Sequence, residues 1–420
     1  MRSSSALWAF PFVIALITLY YSVSTGPAVA DVAFGYAPSV VGFALSPMYF
    51  FAYAVASGLA AWESGRLTRG GIWLLAPARS RFAVAALALW PVVAVAWTAL
   101  LLPVGVALVQ AGSIPTLPSL NPLFMALGVT LAHAVVGFAV GLRIRPTIAA
   151  PMMTVVVFVV VAFSVTTDPF WPRHILGQHS DVPMFGEITP FGALFPHLLL
   201  AGGLAVGAAA LWAGRFSSAV RGAVACCVAV GCAVGAHSVV REWGPTAPIS
   251  SGDVSMVCSG SAPQVCMPEV AAGDLPQIHR EVASVVADLE SAGIAPRPEI
   301  VTDTLADGRR PSPSTPSRWR LPLAESHQQG GLRYQVTVSS VDFPCRRPNP
   351  EATRPVLLWA TERTGESELL WERLRSNPYV DEVETTRLKA AVGRVLALAP
   401  EEQLAWYQAG LAGSCTPSGT

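Results

Sequence analysis

Up to about residue 239 the chain consists of long apolar runs with almost no ionisable residue, a pattern that excludes most folds open to a soluble chain. A bilayer core is crossed by roughly 20 apolar helical residues. By that measure seven spans are expected, near 6–25, 39–61, 82–110, 121–142, 147–166, 191–213 and 219–239. The fifth, "PMMTVVVFVVVAFSV", is rich in β-branched residues, a strand signal in water. In lipid an isolated strand leaves its backbone groups unpaired, so a helix is expected there too.

Only 13% of the 420 residues are charged, against about a quarter in soluble proteins, and the deficit lies in this first part. Charge density becomes ordinary afterwards. The expected organisation is a transmembrane domain over 1–239, a polar tether over 240–252 and a domain over 253–420 large enough for its own core. A formal net charge of zero gives no reason to expect a nucleic-acid partner. A single lysine, Lys389, stands against 26 arginines, a bias of codon usage that carries no mechanism.

Arginine placement sets the orientation. With the N-terminus cytoplasmic, the inner segments hold Arg2, Arg66, Arg69, Arg79, Arg81, Arg143, Arg145, Arg215 and Arg221. The outer loops hold only Arg173, with Asp31, Asp168, Asp181 and Glu187. Seven crossings from an inside start place the C-terminal domain outside the cytoplasm, and the cell membrane is the expected location. Ala28 and Ala30 in "GPAVADV" resemble a signal-peptidase site, but the apolar run before them is long for a signal peptide. A retained anchor is expected, and cleavage would leave the remaining topology unchanged.

Topology then bears on the cysteines. Cys226, Cys227 and Cys232 fall in the seventh span and read as small buried apolar residues. Cys258, Cys266, Cys345 and Cys415 lie in the outer domain, where four cysteines most simply make two disulfides. Of three possible pairings, the spacing favours Cys258–Cys266 and Cys345–Cys415. Compact ligand pairs and nearby histidines, which a metal site needs, do not occur around them.

The spans hold little ionisable chemistry. His133 lies mid-helix and reads as an interhelical hydrogen-bonder, while His197 and His237 lie near helix ends. The absence of acidic, lysine or arginine side chains at bilayer depth argues against an ion-driven carrier. Glycines four residues apart, Gly137 and Gly141, Gly203 and Gly207, Gly231 and Gly235, are expected to let helices pack closely. The inner loop "AWESGRLTRGGIWLLAPARSR" sets Glu63, Arg66, Arg69, Arg79 and Arg81 around the apolar stretch from Ile72 to Ala76. It suits either a short helix at the inner surface, facing lipid headgroups or a partner, or a plain basic loop. The outer loop before span six is expected to fold onto the membrane surface through Phe170 and Trp171, and its His174 and His179 lack the companions of a metal site.

In this layout, six spans with a basic loop after the second and an outer excursion before the sixth, residues 1–215 resemble the membrane domain of type-two ABC exporter permeases. The resemblance implies that Glu63 to Arg81 docks a separate ATPase subunit. The chain lacks a phosphate-binding P-loop, since its one lysine stands in "TTRLKAAV", so ATP-driven work requires another polypeptide.

In the outer domain, "GDLPQIHREVASVVADLESAG" places Leu275, Ile278, Val282, Val285, Val286 and Leu289 at helical spacing, with Asp274 as cap and Gly293 as stop. "LRYQVTVSSV" alternates Leu332, Tyr334, Val336 and Val338, which predicts a strand, and "PVLLWATE" predicts a second. The stretch "GRRPSPSTPSRWR", with Arg309, Arg310, Arg318 and Arg320, reads as a solvated basic loop. Helices are expected near 366–376, 381–398 and 400–412. "HRE" at His279–Glu281 lacks the spacing of a metalloprotease pair, and no nucleophile elbow occurs, so no enzyme is expected. The frame "VCSGSAPQVCMPEV" with "EEQLAWYQAGLAGSC" is similar to uncharacterised C-terminal domains of actinobacterial multi-span membrane proteins.

The expected fold is thus an α-helical polytopic membrane protein of about seven transmembrane helices, followed by a small α+β disulfide-containing extracytoplasmic domain. The expected function is that of a permease-like membrane subunit without its own ATPase or cofactor, in contact with membrane lipid and open to homo-oligomer formation. The alternative is a membrane-anchored extracytoplasmic binding or scaffold protein without transport.

Overall fold

The computed structural model describes residues 4–25, 35–74, 80–212, 217–296, 298–309, 312–345, 348–376 and 380–415. Arg2, Ala28, Ala30, Asp31, Arg79, Arg215 and Arg310 lie outside the described residues. Contacts divide the chain into two units, Met1–Gly252 and Asp253–Thr420.

The first unit is helical. Its elements are α1 (Ser5–Ser24), α2 (Ala37–Leu45), α3 (Tyr49–Arg69), α4 (Arg81–Gln110), α5 (Asn121–Gly141), α6 (Pro146–Phe163), α7 (Phe191–Ala210) and α8 (Ser218–Val240). Six of these helices are long and apolar enough to cross a membrane, and a seventh span results if the bent pair α2–α3 counts as one. Starts follow local chemistry: the side chains of Ser4, Ser80 and Ser217 accept from backbone N–H groups of the first turns of α1, α4 and α8. Large apolar side chains on the outsides of α1, α6 and α8, among them Trp8, Phe12, Val155, Phe163 and Val234, stay exposed. A surface of that kind fits a membrane protein.

The expected second span is broken. α2 and α3 meet at a 49° bend, at Ser46–Met48, where Pro47 has no N–H to continue the ladder. α3 also runs eight residues past the expected end at 61, to Arg69, and so carries Glu63, Arg66 and Arg69 on a helix instead of a loop.

α3 is the inner helix of the bundle, and small residues on two of its faces allow this. A Cβ on Gly137 or Gly141 of α5 would overlap the carbonyls of Ser57 and Ala61. On another face, a Cβ at Gly58 or Gly65 would overlap Thr154 and Pro146 of α6. Gly203 and Gly207 of α7 meet Cys232 and Ala225 of α8 in the same way. Gly231 meets nothing, and Gly235 makes only ordinary contact with Leu199, so this third pair forms no close seam among the described residues.

The stretch expected as a tether is tied down. β1 (Glu187–Ile188) pairs antiparallel with β2 (Ser250–Ser251). The Ala247 N–H donates to Asp181 Oδ2 at 2.6 Å, Arg173 Nη1 donates to the Pro245 carbonyl at 2.7 Å, and His174 Nε2 donates to the Gly244 carbonyl at 2.9 Å. The polar composition of 240–252 therefore reflects hydrogen bonds to the segment between α6 and α7, not a free linker.

The second unit is α+β. β3 (Met256–Ser259) and β4 (Gln264–Pro268) form a hairpin; β4 pairs parallel with β5 (Ile300–Asp303), and β5 with β6 (Arg318–Leu321). The crossover between β4 and β5 is α9 (Leu275–Ser291), whose six expected apolar positions are all buried. Helices α10 (Leu323–Gln328), α11 (Leu332–Ser340), α12 (Pro350–Thr364), α13 (Ser367–Arg375), α14 (Glu382–Leu396) and α15 (Pro400–Gly413) complete the unit. Cys258 bonds Cys266 across the hairpin and Cys345 bonds Cys415 at the chain end.

Two expected strands are helices, α11 and α12. In α11, Leu332 and Val336 face the sheet core, whereas Tyr334 and Val338 face a second cluster around Trp359. Two pairs spaced i, i+4 on opposite helix faces mimic strand alternation. In α12, Asn349 accepts from the Glu351 N–H at 3.0 Å and Pro350 opens the first turn, a cap the apolar run concealed. The basic stretch is also part strand: Arg318 and Arg320 lie on β6, and Arg320 pairs with Asp307.

Candidate functional site

The first unit contains an apolar cleft of about 210 Å³ between α6 and α7, floored by α5. One wall is the α6 row Val156, Val157, Val160 and Val161, whose β-branched side chains are stiff at χ1. Leu200 and Leu204 of α7 form the other, and Ile175 and Leu176 of the loop between α6 and α7 close one end. The run that reads as strand in water thus supplies a rigid apolar wall on a helix.

One polar side chain enters this cleft, His133. Its ring stacks on Tyr53 of α3, with centroids 5.1 Å apart, and Nδ1 lies 3.5 Å from Ser57 Oγ. It contacts a second helix as expected, but mainly through ring stacking.

The loop is held by two helices, α3 and α7. Tyr53 Oη donates to the Gly177 carbonyl at 2.9 Å, and the Gly177 N–H donates to His197 Nδ1 at 3.0 Å. Gly177 has φ +96°, and a Cβ there would press on Tyr53 and Val129, so glycine is required by conformation and by space. Sequence reasoning missed this latch; a glycine between "HIL" and "QHS" was the only signal. The loop packs onto the helices, with His174, Gln178 and His179 buried. Trp171 meets the edge of His237 at 5.2 Å, and Phe170 lies under the Arg173 guanidinium. Burial holds the His174 imidazole below its ordinary value. His179 Nε2 bonds Thr189 Oγ1 at 3.2 Å, and no cluster of metal-ligating side chains occurs among the described residues. Replacing Tyr53 by phenylalanine leaves the Gly177 carbonyl buried without its donor. Thermal unfolding in detergent is expected to show a loss of about 1–3 kcal/mol.

The expected docking residues divide. Glu63 is fully buried and accepts from the Ser5 N–H at 2.6 Å, Ser5 Oγ at 2.6 Å and Ser4 Oγ at 3.1 Å, while pairing with Arg66 at 2.7 Å. It anchors the start of α1 and is closed to a partner. Substituting Glu63→Gln keeps one acceptor and loses the ion pair; a cost of about 1–3 kcal/mol is expected in the same unfolding assay. Arg69 is exposed and stacks over Trp62 at 5.5 Å. Of the apolar stretch after it, Ile72–Leu74 forms a 3-10 turn, Leu75 and Ala76 lie outside the described residues, and Arg81 opens α4.

In the second unit, "HRE" lies on α9. The His279 ring occupies the space a Cβ on Gly260 would take, and Glu281 lies 3.7 Å from His327 Nδ1. Arg333 joins three segments, donating to Asp288 and Glu366 at 2.9 Å each, to Ser284 at 3.1 Å and to the Thr364 carbonyl. Asp303 accepts from the N–H groups of Leu305 and Ala324, and burial pushes its carboxyl above the ordinary value. Its task is to fix the turn after β5.

Residues 265–413 match a family described as a domain of unknown function, DUF7224, which spans β4 to α15. No curated protein and no solved structure matches the chain.

Proposed function

We propose that the chain is an integral membrane subunit, similar in plan to an exporter permease, that handles an apolar molecule in the cleft beside His133. The observation that carries this reading is the cleft itself: a rigid valine wall, one imidazole at the floor and a latched loop at its end. Sites for small molecules are commonly apolar hollows with a few placed polar groups. In this reading α2–α3 forms one broken span, so that seven crossings put residues 253–420 outside the cytoplasm. Energy comes from a separate nucleotide-binding subunit, because the chain has no P-loop. With Glu63 buried, the docking role passes to exposed Arg69 and its surroundings. The test is affinity purification of tagged full-length protein, gently solubilised from native membranes, followed by mass spectrometry. An ATPase subunit is expected to co-purify and to be lost with Arg69→Glu; purification that never returns an ATPase contradicts the reading.

One feature favours the anchored-binding alternative. Asp253–Thr420 has two apolar clusters of its own, two disulfides, and a cavity of about 270 Å³ rimmed by Ser314, Thr315, Ser340 and Asp342. If that unit, expressed alone, binds an envelope ligand while Arg69→Glu has no effect on any activity of the cell, the chain is a binding protein.

A further inference from the structure

At the end of the helices that carries Arg81, Arg143 and Arg221, those three arginines line one cavity of about 260 Å³ together with Trp73, Trp212 and Phe138. They come from three places in the sequence: the first residue of α4, the turn after α5 and the first turn of α8. No carboxylate lines the cavity, and no ion pair joins any of the three arginines to an acidic side chain among the described residues. The lining therefore carries about three positive units and no carboxylate.

Donors here also lack acceptors. Arg221 spends Nη1 on the Leu211 carbonyl at 3.0 Å, but its Nε is buried and has no hydrogen-bond partner among the described residues. The Trp73 indole N–H is likewise buried without an acceptor among the described residues. Leaving a buried donor unsatisfied is unfavourable, so two around one hollow argue for an acceptor that occupies it. Trp212, whose ring is 5.2 Å from Phe138, adds an apolar wall. Arginine is suited to phosphate oxygens through its planar fork of donors.

From these observations we infer that the cavity formed by Arg81, Arg143, Arg221 and Trp73 binds a phosphate group. Its source is the headgroup of an anionic phospholipid. Phosphate oxygens accept from the guanidinium groups and from the Trp73 N–H, and the aromatic wall takes the glycerol end of the lipid. Basic pockets between membrane helices bind such headgroups for the same reason. The inference does not depend on transport or on an ATPase partner.

The experiment uses full-length protein in mild detergent, exposed to equal phosphatidylglycerol and phosphatidylcholine, with bound lipid counted by native mass spectrometry. Wild type is expected to retain phosphatidylglycerol preferentially. Arg143→Gln and Arg221→Gln should each lower that preference about fivefold, the value of one interfacial arginine, and together about 25-fold. Arg145→Gln, just outside the lining, should leave it unchanged. A normal gel-filtration profile shows that each variant is folded. A second arm adds inorganic phosphate without lipid and follows thermal unfolding. Stabilisation of wild type but not of the double variant, without lipid preference, assigns the site to free phosphate. Lipid preference and phosphate response that are both the same in wild type and the double variant overturn the inference.

Discussion

Leucine at Gly137 or Gly141 is expected to abolish the folded first unit. A side chain at either position of α5 would run into backbone carbonyls of α3, and backbone cannot rotate aside as a side-chain tip can. Helix association in lipid has no hydrophobic driving force between chains, so close backbone approach is what holds the pair. Overpacking a tight interface typically costs about 1–3 kcal/mol, and overlap with backbone puts these two positions at or above the upper end. Gly231→Leu is the control, because nothing lies within reach of a Cβ there. The measurement is the monodisperse fraction by gel filtration in detergent, with the melting temperature of what remains. Wild-type behaviour of Gly141→Leu would show that α3 and α5 are further apart than described.

The second large effect concerns the chain end. Cys345–Cys415 closes a separation of 70 residues, against 8 for Cys258–Cys266. Loop-closure entropy gives about 4 kcal/mol for the longer loop and roughly 2–3 kcal/mol for the shorter. The long bridge ties the end of α15 to the start of α12, where the Asn349 N–H also donates to the Ser414 carbonyl at 2.8 Å. The double substitution of Cys345 and Cys415 by serine is therefore expected to lower the melting temperature of the second unit by about 10 °C. The equivalent change at Cys258 and Cys266 should cost about half as much, since the β3–β4 ladder holds that hairpin independently. Equal effects of the two pairs would contradict the entropic argument.

Much of the first unit was legible in the sequence because its helices are marked by the length and apolarity of single runs rather than by tertiary detail. The valine-rich α6 was readable as a helix for that reason. What escaped was the interior of the unit. That Gly58 and Gly65 face α6, or that Gly177 is gripped by Tyr53 and His197, depends on which helices become neighbours, and no single run encodes that. Glu63 illustrates the limit: beside Arg66 and Arg69 it reads as part of a solvated loop, yet the first residues of α1 return to cover it. In the second unit α9 announced itself through one apolar stripe. α11, buried on two faces, gave the period of a strand, and strands β3 to β6 are four or five residues long, too short for alternation to declare itself.

The account rests on which side of the membrane each end of the chain occupies. The direct measurement is labelling of intact cells with a membrane-impermeant maleimide, using Ser312→Cys in the exposed loop before β6 and Arg69→Cys at the end of α3. The parent protein shows the background from Cys226, Cys227 and Cys232. Seven crossings predict that Ser312→Cys is labelled at once and Arg69→Cys only after permeabilisation. Labelling of both from the same side would contradict the topology and the assignment of residues 253–420 to the exterior.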